Sequence, residues 1–223
     1  RKTQSRKTQS RKTQSRKTKI NQFVCTGNTC RSAALQALAR AMYPKLYFES
    51  CGTGIRTGKE GEGMSEPMVE RILKKSLKKS LKKTSKLLDP KIFKKAYKNS
   101  KEHKSRSCTC ENIMKVSNSD GTMFVVADSN IANLKKIINK CKLKNKNFKE
   151  PNIMKINKKD IYDGYEQSCE LREREGKQCK KKTYKKEEKA YKVSLKQIVN
   201  SLKNNKEINN HSSANSTRTP LLF

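Results

Sequence analysis

The stretch Ile20 to Ser32, INQFVCTGNTCRS, constrains this chain more than any other. An apolar run ends at Cys25, a small polar segment containing one glycine follows, and Leu35, Leu38 and Met42 then recur at helical spacing until Pro44 closes the segment. Strand, tight loop, helix is the arrangement that serves all three parts. In such a loop the backbone N–H groups converge on one point and the helix N-terminus adds positive potential there. The planar fork of Arg31 reaches the same point, so the site suits an oxygen-rich anion such as phosphate. The same field favours the thiolate of Cys25, and Gly27 is expected to permit the tight turn. A cysteine and an arginine at this spacing also arise by chance, and most cysteines are small buried hydrophobes. The strand before, Ser32 after and the amphipathic helix beyond decide for the reactive reading.

The rest of the chain alternates in the same way. Leu46 to Cys51 reads as a second strand, and the glycine-rich GTGIRTGKEGEG after it as irregular. Pro67 to Leu73 opens a helix. Met123 to Ala127 (MFVVA) is the best strand in the sequence, with Asp128-Ser129-Asn130 as a helix N-cap before Ile131, Leu134 and Ile138. Ile153 to Ile156 gives one more strand, Asp160 to Tyr165 a loop, and Tyr191, Leu195, Ile198, Val199 and Leu202 the face of a last helix. The fold class expected is α/β, a small central parallel sheet with helices on both faces.

Only 32% of the 223 residues are hydrophobic, below the roughly 45–50% of ordinary domains. A modest domain enlarged by solvated segments follows. Residues 1–18 repeat RKTQS and are expected to form a disordered basic arm. The phosphate-loop domain spans 19–203, with Lys-rich insertions near 74–102 and 166–183, and 204–223 reads as a disordered tail. Within the first insertion Leu73, Leu77 and Leu81 put a thin apolar stripe on a basic helix. That helix rests on the domain or meets an anionic membrane or acidic partner. The net charge of +34 attracts nucleic acid and anionic lipid in general. Lysine is spread along the whole chain, however, and no nucleic-acid motif or aromatic stacking platform accompanies it, so a solvated surface is the stronger account.

Eight cysteines stand at 25, 30, 51, 108, 110, 141, 169 and 179. With no signal peptide in view and a length beyond that of small disulfide scaffolds, a reducing, cytoplasmic setting is expected. The C-x-C of Cys108 and Cys110 is a weak zinc pattern without a second pair, so no metal or cofactor is expected. No apolar run reaches the ~20 residues that span a bilayer.

FVCTGNTCRSA resembles the signature loop of the low molecular weight protein-tyrosine phosphatases. Three further pieces agree in order: Glu49-Ser50-Cys51-Gly52-Thr53 resembles the family's S-A-G-T element, His103-Lys104-Ser105-Arg106 its H-x-A-R stretch, and VVADSNIANL (Val125 to Leu134) its A-M-D-x-S-N-x-x-x-L segment. The resemblance implies hydrolysis of a phosphotyrosine protein or small aryl phosphate in two steps. Cys25 is the nucleophile, Arg31 and the loop residues Thr26, Gly27, Asn28, Thr29, Cys30 and Ser32 hold the phosphate, and a phosphocysteine is then hydrolysed. It implies that Asn28, Ser32 and His103 brace the loop, that Asp128 supports it, and that Cys30 can pair reversibly with Cys25 against oxidation. The proton donor lies in a D-P-Y motif before the final helix, where this chain has Asp160-Ile161-Tyr162-Asp163-Gly164-Tyr165. Asp163 is the better match and Asp160 the competitor.

The chain also departs from the pattern. Gly164 replaces the proline, so the acid loop is less rigid. Arg56 or Thr57 falls where the family has an aromatic wall residue, leaving Tyr162 or Tyr165 to supply the ring contact. Two other classes are compatible with the fold: an arsenate reductase, which needs a cysteine pair after the MFVVA strand where Asp128-Ser129-Asn130 stands, and a polybasic binding module with little catalysis.

Overall fold

A computed structural model describes residues 18–55, 60–63, 73–75, 88–161, 176 and 181–214. Four strands form one wholly parallel sheet: β1 (Ile20–Cys25), β2 (Tyr47–Gly52), β3 (Thr122–Val125) and β4 (Asn152–Lys155), in the order β2-β1-β3-β4. Among the described residues the helices are α1 (Arg31–Met42), α2 (Pro90–Lys101), α3 (Cys110–Asn118), α4 (Asp128–Lys144), α5 (Lys181–Asn204) and α6 (Lys206–Ala214).

Alternation along β1 and β3 divides the apolar residues between two cores, because successive strand side chains face opposite ways. On one face Phe23 stacks on Phe48 at 5.5 Å between ring centroids and lies 5.8 Å from Phe124. Leu35 and Leu38 of α1, Phe93 of α2 and Tyr191, Leu195 and Ile198 of α5 close over them. On the other face Val24, Met123 and Val125 meet Ile113 and Val116 of α3 and Leu134 and Ile138 of α4. Each such buried side chain contributes about 1.5–3 kcal/mol, which explains how so lysine-rich a chain still folds. Gly121 passes so close to β1 that an added Cβ would lie 1.9 Å from the Ile20 carbonyl oxygen.

The chain leaves β1 toward β2 on one side and later returns to β3 on the other. Winding therefore reverses between β1 and β3, and the crevice beyond their carboxyl ends is where ligands bind in open parallel sheets. The Cys25 loop stands at that point.

The expected fold class holds, and so do the expected strands within a residue or two. Several details are corrected. The first insertion, 74–102, is not solvated throughout. Its second half is α2, where the Asp89 carboxylate accepts from the Lys91 N–H at 2.6 Å, Pro90 occupies the first turn, and Phe93 and Ala96 are buried. The Asp-Pro pair is a readable helix start. The tail expected to be disordered from 204 carries α6, because Ile208 is fully buried and Asn209 bonds to Tyr43 Oη at 3.2 Å. Ala127, not the Asp128-Ser129-Asn130 triplet, caps α4, and no side chain caps it.

The cysteines give the largest correction. Cys51 is bonded to Cys108 and Cys110 to Cys141, while Cys25 and Cys30 take part in neither bridge. Sheet topology brings together residues 57 and 31 apart in sequence, which no spacing rule reveals. The two bridges run against the reducing setting expected from chain length and the lack of a signal peptide, since disulfides persist in oxidising compartments. Among the described residues no helix is long and apolar enough to cross a membrane. The RKTQS repeats up to residue 17, Arg56, Thr57, Pro67, Leu77, Leu81 and residues 162–175, with Tyr162, Asp163, Gly164, Tyr165 and Cys169, lie outside the described residues, as does Cys179.

Candidate active site

Cys25 is the last residue of β1 and is buried, while Thr26 and Gly27 directly after it are exposed. The turn is made not at Gly27 but at Asn28, whose φ of 53° lies in the left-handed region. Gly27 has no such φ, and a Cβ there would meet nothing nearer than Thr29 Oγ1 at 3.6 Å. Asparagine tolerates the left-handed region better than most residues.

Asn28 is fully buried, and the structure gives every one of its polar groups a partner. Its N–H donates to Cys25 Sγ at 3.2 Å. Its Nδ2 donates to Ser32 Oγ at 2.9 Å and to Ser50 Oγ at 2.8 Å, its Oδ1 accepts from the Arg106 N–H at 2.9 Å, and its carbonyl oxygen accepts from His103 Nε2 at 2.6 Å. Ser32 Oγ lies 2.9 Å from Cys25 Sγ. This hydroxyl also accepts from Asn28 Nδ2, and it is the donor to the sulfur whenever the sulfur carries no hydrogen. Cys25 Sγ thus meets the Asn28 N–H and the Ser32 hydroxyl.

The buttress continues outward. Ser50 Oγ meets the side-chain amide of Gln36. In the amide orientation that satisfies both sides, the Gln36 nitrogen donates to Ser50 and its oxygen accepts from Arg40 at 3.1 and 2.9 Å. Gly52 sits where only glycine fits, since a Cβ would lie 2.5 Å from the Thr26 carbonyl oxygen. Thr26 is held in turn by Gly54 N–H on its carbonyl at 2.9 Å and by Asn130 Nδ2 on its hydroxyl at 3.1 Å. A polar cavity of about 90 Å³ abuts this buttress, lined in part by Gln36, Arg40, Ser50, His103 and Arg106, and does not include Cys25.

His103 is buried, and burial first of all holds its pKa below 6.5; the Asn28 carbonyl opposes the shift, while Arg106 and Arg40 add to it. The ring is therefore neutral with the proton on Nε2, the tautomer its bond to a carbonyl oxygen requires. Arg31 opens α1 and its guanidinium donates to the Ile161 carbonyl at 3.3 Å. That contact ties the loop to the chain immediately before Tyr162 and Asp163.

The two described aspartates of the neighbourhood are engaged elsewhere. Asp128 is exposed, and Lys155 Nζ donates to it at 2.7 Å and to Asp160 at 2.6 Å. The Asp128 N–H also donates to Asp160 at 3.3 Å. The Lys155 hydrogen bond above all holds the Asp160 carboxyl below its ordinary value. The structure thus brings Cys25, Asn28, Ser32 and His103 into one network. It sets Arg31 beside the loop and Asp128 apart on a lysine, and Cys30 ahead of α1, half-buried. The sequence reasoning missed Gln36, Ser50, Arg106 and Asn130 as loop supports. Ser50, Arg106 and Asn130 lie inside the recognised S-C-G-T, H-K-S-R and VVADSNIANL pieces, so the signal for those three was present.

No protein-family model matches the sequence, and no curated protein matches it. Solved structures do. Wzb of Vibrio vulnificus in complex with benzylphosphonate superposes with a TM-score of 0.54 at 15% identity, covering 83% of this chain and 94% of that one. The tyrosine phosphatase AmsI of Erwinia amylovora gives 0.49 at 16% identity, covering 86% and 95%. A low molecular weight protein tyrosine phosphatase of Bacillus subtilis gives 0.45 at 16%, covering 83% and 98%. Likeness at these identities is likeness of architecture, and the chain has the fold of the low molecular weight protein tyrosine phosphatases.

Proposed function

We propose that the chain is a protein-tyrosine phosphatase that hydrolyses aryl phosphate monoesters through a phosphocysteine on Cys25. The observation that carries this reading is the convergence of the Asn28 N–H and the Ser32 hydroxyl on Cys25 Sγ, below an exposed loop at the switch point of the sheet. A cysteine so placed is a nucleophile set where an anion binds.

In the first step Cys25 Sγ bonds to phosphorus and the bond from phosphorus to the aryl oxygen breaks. Arg31 and the loop amides from Thr26 to Ser32 hold the equatorial oxygens, and Asp163 gives its proton to the departing phenolate. In the second step water attacks phosphorus, Asp163 takes the proton of that water, and the S–P bond breaks. The returning thiolate is met by the same two donors, so Ser32 assists its departure. Asp163 is preferred over Asp160 because Asp160 is held as an anion by Lys155. The benzylphosphonate bound to Wzb favours a ring-bearing phosphate monoester as the substrate class.

The test is hydrolysis of para-nitrophenyl phosphate by the wild-type chain and Cys25→Ser. Turnover is expected in the wild type, with a loss of about 10⁴-fold or more in the variant, the scale on which removing a nucleophile acts. A folded wild type without turnover, or a Cys25→Ser chain that keeps it, overturns the proposal.

A further inference from the structure

Asn28 is gripped from two segments outside its own loop. The end of β2 supplies Ser50 Oγ, and residues 103–106 supply the His103 ring and the Arg106 N–H. These segments run side by side where Gly52 bridges Ser107, with the Gly52 N–H on the Arg106 carbonyl at 2.8 Å and the Cys108 N–H on the Gly52 carbonyl at 3.1 Å. Cys51, next to Ser50, and Cys108, two residues past Arg106, close the same junction covalently.

We propose that the Cys51–Cys108 disulfide is a positioning element of the active site, fixing the two segments that hold Asn28 and, through Asn28, the donors that face Cys25. The inference rests on the phosphatase reading above. Its physical basis is the narrowness of hydrogen-bond geometry: a bond of 2.8–2.9 Å has ceased to be one near 3.6 Å, so a relative slip under about 1 Å at the junction releases Asn28 from one side. Asn28 is sensitive to such a release because its left-handed backbone, φ 53°, is held by these contacts. The bridge is a fixture rather than a cycling switch. Cys51 is 0% and Cys108 5% exposed, and both pack among Val24, Ile113 and Val125, where an attacking thiolate has no path. The second bridge provides the contrast. Cys110–Cys141 joins α3 to α4, and no hydrogen bond of Asn28 involves either helix. The C-x-C pair that is weak as a zinc motif thus rivets one short segment on two sides, with only one rivet next to the nucleophile.

The experiment compares Cys51→Ala/Cys108→Ala with Cys110→Ala/Cys141→Ala in the full chain. Three quantities are read: melting temperature, kcat/KM for an aryl phosphate, and the pH dependence of iodoacetamide alkylation at Cys25, followed by peptide mass spectrometry. The Cys51/Cys108 variant is expected to lose about tenfold or more in kcat/KM while folded, with alkylation of Cys25 shifted to higher pH. The Cys110/Cys141 variant is expected to lose melting temperature alone. If the alanine pair does not fold, Cys51→Val with Cys108→Ala refills the core volume and carries the same expectation. Unchanged turnover and an unchanged alkylation profile overturn the proposal, as do equal losses in both variants that track melting temperature. A wild type with no turnover defeats the phosphatase reading instead, and the alkylation profile still reports on the positioning of Cys25.

Discussion

Cys25 and Asp160 close neighbouring parts of the same crevice and are held in opposite ways. The thiol is buried at a strand end and faces two donors, each itself fixed through Asn28 by residues of β2 and of 103–106. Asp160 is a largely exposed carboxylate paired with Lys155 and the Asp128 N–H. The two settings serve different chemistry. An anionic sulfur is the working form of a nucleophile, whereas an anionic carboxylate has no proton to give to a leaving group. The Lys155 pairing of Asp160 supports the proposal that Asp163 is the acid.

The sharpest break of that contrast is a pair of acid-loop variants. Asp163→Ala is expected to lower kcat for phenyl phosphate by roughly 10²–10⁴-fold, the usual worth of a general acid, and to matter much less for a nitrophenolate that departs unaided. Asp160→Asn removes an exposed ion pair worth about 0–1 kcal/mol and is expected to leave kcat within a few-fold for both substrates. Steady-state rates over a leaving-group series decide it. If Asp160→Asn shows the leaving-group dependence and Asp163→Ala does not, the contrast drawn between Cys25 and Asp160 collapses.

The Cys25 side is tested next by Asn28→Gly, which keeps the left-handed turn and deletes the side chain that joins Ser32, Ser50 and Arg106. A loss of about 10²-fold in kcat/KM is expected, the scale of an ångström's misplacement of a reacting group. The fold should hold, since glycine adopts φ of 53° freely. Near-wild-type kinetics would mean that the Ser32 hydroxyl is positioned without Asn28.

What could be read in the sequence, and what could not, divides along the same line. Cys25, Arg31 and the strand–loop–helix around them are local: apolar run, polar turn and helical spacing all sit within 23 consecutive residues, 20–42. The parallel sheet followed from repeating that pattern with Met123 to Val125 and Ile153 to Lys155. The buttress is non-local. Ser50 meets Asn28 across 22 residues and Arg106 across 78, and the partners of Cys51 and Cys110 follow from topology rather than spacing. His103 shows the limit well. As one of only two histidines in a basic chain it has the look of a surface residue, yet it is buried against the Asn28 carbonyl. Asp160 stood as the competitor of Asp163 for a related reason: its lysine partner, Lys155, is a strand residue whose role depends on where β4 ends.

His103 also gives the smallest and most specific prediction. In the unfolded chain its imidazole takes up a proton as pH falls through about 6.5. In the folded chain burial lowers that pKa, so the ring resists protonation until the pH is lower still. Between the two values the unfolded state binds more protons, and stability therefore falls as pH drops below about 6.5; above that the contribution of the neutral ring is complete, and below the folded pKa the loss is complete. His103→Gln keeps an N–H donor for the Asn28 carbonyl and has no titrating ring. Its urea midpoint is accordingly expected to fall less than that of the wild type between about pH 7 and about pH 5, with carboxylates contributing equally to both chains. Equal slopes in the two proteins would place His103 outside the buried network, and the support of Asn28 would then rest on Ser50 and Arg106 alone.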